Sequence, residues 1–224
     1  MTRPTISGIM MCLSDYDHIF FTFIFLHHVQ RFEGGGSLSV AFFFVLSGFC
    51  MSLGYLHQIF SPDFSYRSYI TRRAIKCYPL HWICLLIFLF LIHFEIHGWK
   101  VLSLNATLLQ SWIPKKSVYF SYNAGSWYLS DEIFMYAIFP WLARAINIAG
   151  KQKRIFILSS ITFLYVLLVT LIPNAHRHAI LYINPLVRCI DFIIGIFLAQ
   201  CFLNFRTNSK STGLVPRAER SRRG

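Results

Sequence analysis

Hydrophobic residues in this chain fall in long blocks separated by short polar and basic stretches. Six blocks approach or reach the ~20 residues that cross a bilayer as an α-helix. They lie at about 6–29, 38–58, 79–97, 126–146, 155–173 and 180–203. A further apolar stretch, "VLSLNATLLQSWI" at 101–113, is too short to cross and is expected to lie at the interface or to re-enter. The expected fold class is therefore all-α: a polytopic transmembrane helix bundle with about six spans.

Composition agrees with this pattern. The chain is 55% hydrophobic, only 13% charged, and has a mean hydropathy of +0.52. Soluble domains carry nearer a quarter charged residues, so a soluble domain is excluded and the lipid bilayer is the first partner implied.

The net charge of +12 adds an orientation. Arg67, Arg72, Arg73 and Lys76 fall between the second and third blocks. Arg144, Lys151, Lys153 and Arg154 fall between the fourth and fifth, and a basic tail follows the sixth. With six spans all three groups share one side, which the positive-inside rule makes the cytoplasm. Lys115 and Lys116 are a minor exception. The N-terminus is then cytoplasmic, and residues 30–37 form an outer loop. Nothing here suggests nucleic-acid binding, because the basic residues lack an accompanying stacking pattern.

The organisation is one membrane unit, 1–204, followed by a polar, basic, disordered tail, 205–224. Within the tail, "LVPR" resembles an engineered protease-cleavage linker, and out-of-frame sequence is the alternative. The six cysteines are scattered without a Cys-x-x-Cys pair, so no metal site is expected.

Four groups of residues carry candidate chemistry. His27 and His28 end the first block; ionisable groups are costly in hydrocarbon. They act as a general base or nucleophile, or they merely contact headgroups at the interface. Arg72 and Lys76 share a helix face, with Arg73 about 100° round. Such a cluster either grips phosphates or only sets topology. Glu132 shares a face with Tyr128 and Tyr136, beside Asp131; the acids either serve the helix dipole or form a site. Ser47-Gly48 reads as close helix packing.

Taken in order, a histidine ending the first span, then "FFFVLSGF", "YITRRAIKCYPL", "SWYLSDEIFMYAIFP" and "LVRCIDFIIGIFLA" resemble the membrane acyltransferase-3 family. The resemblance covers roughly residues 15–200. It implies an O-acyltransferase that moves an acyl group, acetyl in the favoured case, from acetyl-CoA to a hydroxyl of a cell-surface glycan or lipid-linked glycan. It places the chain in a bacterial inner membrane. It also implies His28 as the acyl-transfer residue with His27 beside it, and a cytoplasmic site for CoA phosphates at Arg72, Arg73 and Lys76. A Trp-x-x-x-x-Glu motif falls on Trp127 and Glu132, with Ser47 and Tyr136 lining the site. Three features depart from the family pattern. An Arg usual before the histidine is Asp17 here, Lys76 replaces an Arg, and about six spans stand where the family has about ten, as in a partial domain. The alternative reading is a non-catalytic membrane protein, either a glycan transporter or an inactive homologue.

Overall fold

A computed structural model describes residues 35–91 and 98–211. Among them there is no strand. The helices are α1 (Gly35–Ile59), α2 (Tyr66–Leu91), α3 (Trp99–Ala106), α4 (Lys116–Tyr119), α5 (Trp127–Ile148), α6 (Lys151–Leu171), α7 (Asn174–Arg177) and α8 (Pro185–Ser211). Two 3₁₀ turns, Gln110–Trp112 and Ala124–Ser126, and a π-helical stretch, His178–Ile183, link them. The fold is the all-α membrane bundle that the block pattern implies.

Among the described residues four helices are long and apolar enough to cross a membrane: Ser39–Ile59, Tyr66–Leu91, Gln152–Leu171 and Pro185–Phe205. They correspond to the second, third, fifth and sixth blocks. The first block lies outside the described residues. The fourth forms α5, which is 22 residues long, but Asp131, Glu132 and Arg144 lower its apolarity and it is not among the four.

Three boundaries differ from the sequence reading, the two helix starts for a local reason. α2 starts at Tyr66 rather than near 79, so the basic segment expected as a loop is helical. Ser65 accepts a hydrogen bond from the Ser68 N–H at 3.4 Å, as an N-cap does. α8 starts at Pro185, where Asn184 accepts from the Leu186 N–H at 3.0 Å and proline suits the first helical position. At its other end α8 runs to Ser211, seven residues (205–211) past the boundary set at 204.

The tightest seam joins α1 and α8. A Cβ on Gly48 would fall inside contact distance of the Phe192 carbonyl, and one on Gly195 inside that of the Val45 carbonyl. The two glycines therefore let two backbones touch reciprocally, the small-residue packing that membranes favour. Around this seam Phe44, Met51, Tyr69, Met135, Phe139, Phe192 and Ile196 form the core. Helix α6 stands at the margin, with none of its apolar stretch buried among the described residues.

The end of α3 and the stretch after it are buried against the bundle. Asn105, Leu108, Gln110 and Ser111 are all at most 1% exposed. Helix α3 ends in a Schellman turn: Leu109 N–H bonds Leu104 O at 2.8 Å and Leu108 N–H bonds Asn105 O at 3.0 Å. Leu108 takes the left-handed position at φ 56°, a place that usually goes to glycine. The Ser130 hydroxyl holds the Leu108 carbonyl at 2.6 Å.

Replacing Gly48 or Gly195 by alanine should lower stability by about 1–3 kcal/mol or more through overpacking. Gly150→Ala, where a Cβ meets nothing within 4 Å, is the matched control. Thermal unfolding of the protein in detergent or nanodiscs checks this, with equal midpoints for all three variants as the contrary result.

Candidate functional site

A cavity of about 460 Å³ opens between α2, the 3₁₀ turn at Ala124–Ser126 and the first turns of α5. Arg73, Lys76, Cys77, His81 and Cys84 of α2 line it, facing Tyr128, Glu132 and Tyr136 of α5. This size lies within the range of small-molecule sites.

A proline brings the two helices into register. Pro140 has no N–H, so the Tyr136 carbonyl one turn earlier loses its helical partner. The Tyr69 hydroxyl takes that carbonyl at 2.8 Å, and the Tyr66 hydroxyl reaches the next one, Ala137 O, at 3.3 Å. Tyr69 is fully buried. The kinked turn of α5 is thus pinned to the start of α2, and Arg73 lies one turn beyond Tyr69.

Arg73 is half-buried between aromatic rings. Its guanidinium carbon is 4.7 Å from the Tyr55 ring centre and 5.8 Å from that of Tyr136. It donates to the Tyr55 hydroxyl, and its Nη1 lies 3.8 Å from Met51 Sδ. Its Nε is buried without a partner among the described residues. On the facing helix the Tyr136 hydroxyl donates to Glu132 Oε1 at 2.5 Å, and the Ser47 hydroxyl donates to Tyr136 Oη at 3.4 Å. Cation, carboxylate, phenol and serine from α1, α2 and α5 therefore meet at one point. Such a point can bind an anion at Arg73 and Lys76 while a carboxylate polarises a neighbouring donor.

The structure sorts the remaining candidates. Lys76 lines the cavity with Arg73, three residues away and on the same face. Arg72 does not join them; it borders a separate cleft with His57, Asp63, Ser65 and Ser68. The expected pairing of Arg72 with Lys76 gives way to Arg73 with Lys76, because Arg73 is the residue turned toward Tyr55 and Tyr136. Trp127 is buried outside the cavity, its ring 5.0 Å from Tyr182 in a cluster with Tyr119 and Ile183. Beside that cluster Tyr119 Oη lies 3.3 Å from His178 Nδ1. Burial, then the charges of Lys116 and Arg188, hold the His178 pKa below the usual value. Asp131, next to Glu132, is fully buried and does not line the cavity. His27, His28 and Asp17 lie outside the described residues. Among the described residues no group of three or more His, Cys, Asp or Glu could hold a metal ion.

Sequence reasoning missed Tyr55, Tyr69 and His81. Tyr55 and Tyr69 left one usable signal, a run of aromatics flanking a basic segment together with a proline four residues before the end of the "SWYLSDEIFMYAIFPWLAR" stretch. His81 left none, since one histidine in an apolar helix has no distinguishing neighbour in sequence.

A model of the acyltransferase domain of the acyltransferase-3 family matches residues 6–216. Acyltransferase MdmB of Streptomyces mycarofaciens is 28% identical over 183 residues, covering 73% of this chain and 46% of that protein. The chain thus spans about half the length of that relative. No solved structure matches significantly. The family model takes in every described helix, the cavity and the histidine pair before them, and the chain belongs to the acyltransferase-3 family.

Proposed function

We propose that this chain is an integral membrane O-acyltransferase, or the part of one that holds the donor site. The observation that carries this reading is the meeting of Arg73, Lys76, Glu132 and Tyr136 at one cavity, with Ser47 behind Tyr136. The donor is an acyl-CoA, acetyl-CoA in the favoured case, and the acceptor is a hydroxyl of a cell-surface glycan or lipid-linked glycan. The membrane is a bacterial inner membrane, with the N-terminus and the donor site on the cytoplasmic side.

Arg73 and Lys76 take the donor's phosphates. Both are cations on one face of α2, and Arg73 is already oriented by two rings, so little side-chain freedom is lost on binding. Glu132 fixes the Tyr136 hydroxyl, with Ser47 behind it, as the wall facing the phosphates. Arg72, in its own cleft, acts at the rim rather than at the cavity. Trp127 holds α5 to the stretch before α8 and supports the wall from behind. His28 takes the proton of the acceptor hydroxyl or carries the acyl group, by its match to the family's first-span histidine, with His27 as its neighbour. Cavity and fold supply the donor half of this reading, and sequence alone supplies the histidine.

Acetyl transfer from labelled acetyl-CoA to glycan, measured in membranes, is the test. His28→Ala should lower it by roughly 10²–10⁴-fold, the range for a lost general base. Unchanged transfer would remove His28 from the mechanism, and no transfer by the unaltered chain would favour the non-catalytic reading, for which Asp17 in place of the family arginine speaks.

Arg73→Ala should raise the KM for acyl-CoA by about tenfold, as expected for one charge-assisted contact. Arg72→Ala should change it by about twofold or less, since it borders another cleft. Equal effects of the two substitutions on KM would reassign the phosphate site.

A further inference from the structure

The chemistry above leaves His81 unused, although its ring lines the same cavity. The side chain is 2% exposed, and Nε2 lies 2.8 Å from the Asn105 carbonyl oxygen. A carbonyl can only accept, so Nε2 carries the proton and Nδ1 of the neutral ring keeps its lone pair. Nδ1 is buried without a hydrogen-bond partner among the described residues. A buried acceptor left unmet is unfavourable. A ligand group that donates would relieve it.

The position of His81 on the helix indicates which donor. Arg73, Cys77, His81 and Cys84 recur at four-, four- and three-residue steps, and all four line the cavity. They form one track along α2. From Arg73 to His81 is eight residues, about 12 Å along the axis. An acyl-CoA with phosphates at Arg73 and Lys76 lays the arm that links phosphate to sulfur along this track. That arm carries two secondary amides, each with an N–H.

We propose that His81 Nδ1 accepts a hydrogen bond from an amide N–H of the acyl-CoA arm and so sets how far the thioester reaches into the cavity. This rests on the acyl-CoA reading above and adds a ruler to it. The Asn105 carbonyl is the device that keeps the ruler in the accepting tautomer, because it occupies the only ring proton. His81 is then a substrate-positioning residue, and it ties the end of α3 to the donor site.

The test measures binding of acetyl-CoA, and of two analogues with one or other amide N–H replaced by an ester oxygen, to the full chain in nanodiscs. His81→Gln keeps a donor for Asn105 O and removes the lone pair at the Nδ1 place. His81→Asn puts a carboxamide oxygen near that place. Wild type should bind one analogue about tenfold more weakly than acetyl-CoA, the difference for one neutral hydrogen bond. In His81→Gln the ratio should fall to within about twofold, and in His81→Asn it should partly return. A purely structural role would shift all three ligands together and leave the ratio as in wild type, which would overturn the proposal. So would normal discrimination in His81→Gln with a lost acid limb in the pH profile of kcat, which would make the ring a proton acceptor. Failure of wild type to bind any of the ligands would instead overturn the acyl-CoA reading, and the ruler with it.

Discussion

The structure depends on one constraint: backbone carbonyls freed from helices inside a membrane protein must find donors within the protein. The constraint bears hardest on the end of α3. The helix stops there, with Asn105 O accepting from the Leu108 N–H of the Schellman turn, and the carbonyls of residues 105–107 sit beside residues 78–82, the middle of a helix apolar enough to span. Helix α2 supplies the donors. Tyr78 Oη meets Thr107 O at 3.0 Å, His81 Nε2 meets Asn105 O at 2.8 Å, and Trp82 Nε1 meets Ala106 O at 2.8 Å. Three successive carbonyls are thus met by three side chains of one neighbouring helix. Each unmet group would cost about 1–3 kcal/mol even by the modest protein scale.

The same rule recurs wherever a helix ends or kinks. Arg144 Nη2 holds Ile59 O at the end of α1 at 2.9 Å. Arg154 reaches Ile146, Asn147 and Ala149 O at the end of α5, and Arg177 reaches Ile172 O after α6. Tyr69 takes the carbonyl that Pro140 frees. Cations at helix C-termini also suit the helix dipole. Arginines that appear in the sequence only as topology markers therefore close helix ends as well. The cavity is a by-product of these closures: the Tyr69 contact fixes α5 against α2, and the His81 contact fixes the end of α3 against the same helix.

Some of the candidate site was legible beforehand and some was not. Glu132 and Tyr136 stand four apart on one helix, so periodicity alone put them on a common face, and they do hydrogen-bond. Ser47 was readable from spacing as a packing residue and from the resemblance as a site-lining one; its approach to Tyr136 joins positions 89 residues apart. The basic cluster was legible as a cluster but not by member. Spacing paired Arg72 with Lys76, and the rings of Tyr55 and Tyr136 single out Arg73 instead. Trp127 was recognisable as a motif residue, yet its bulk went to packing on Tyr182.

Sequence by itself determined that this chain is a bundle of apolar helices, roughly where four of them run, and which short apolar stretch could not cross. Those features follow from hydrocarbon thickness and the local cost of exposing polar groups, quantities that each segment carries within itself. Tertiary structure decided which side chains meet. It turned Arg73 rather than Arg72 toward the cavity, made Gly48 and Gly195 a reciprocal seam, and set the tautomer of His81 through a carbonyl 24 residues away. Such choices depend on the pairing of distant segments, and the energy that settles them exists only once those segments touch.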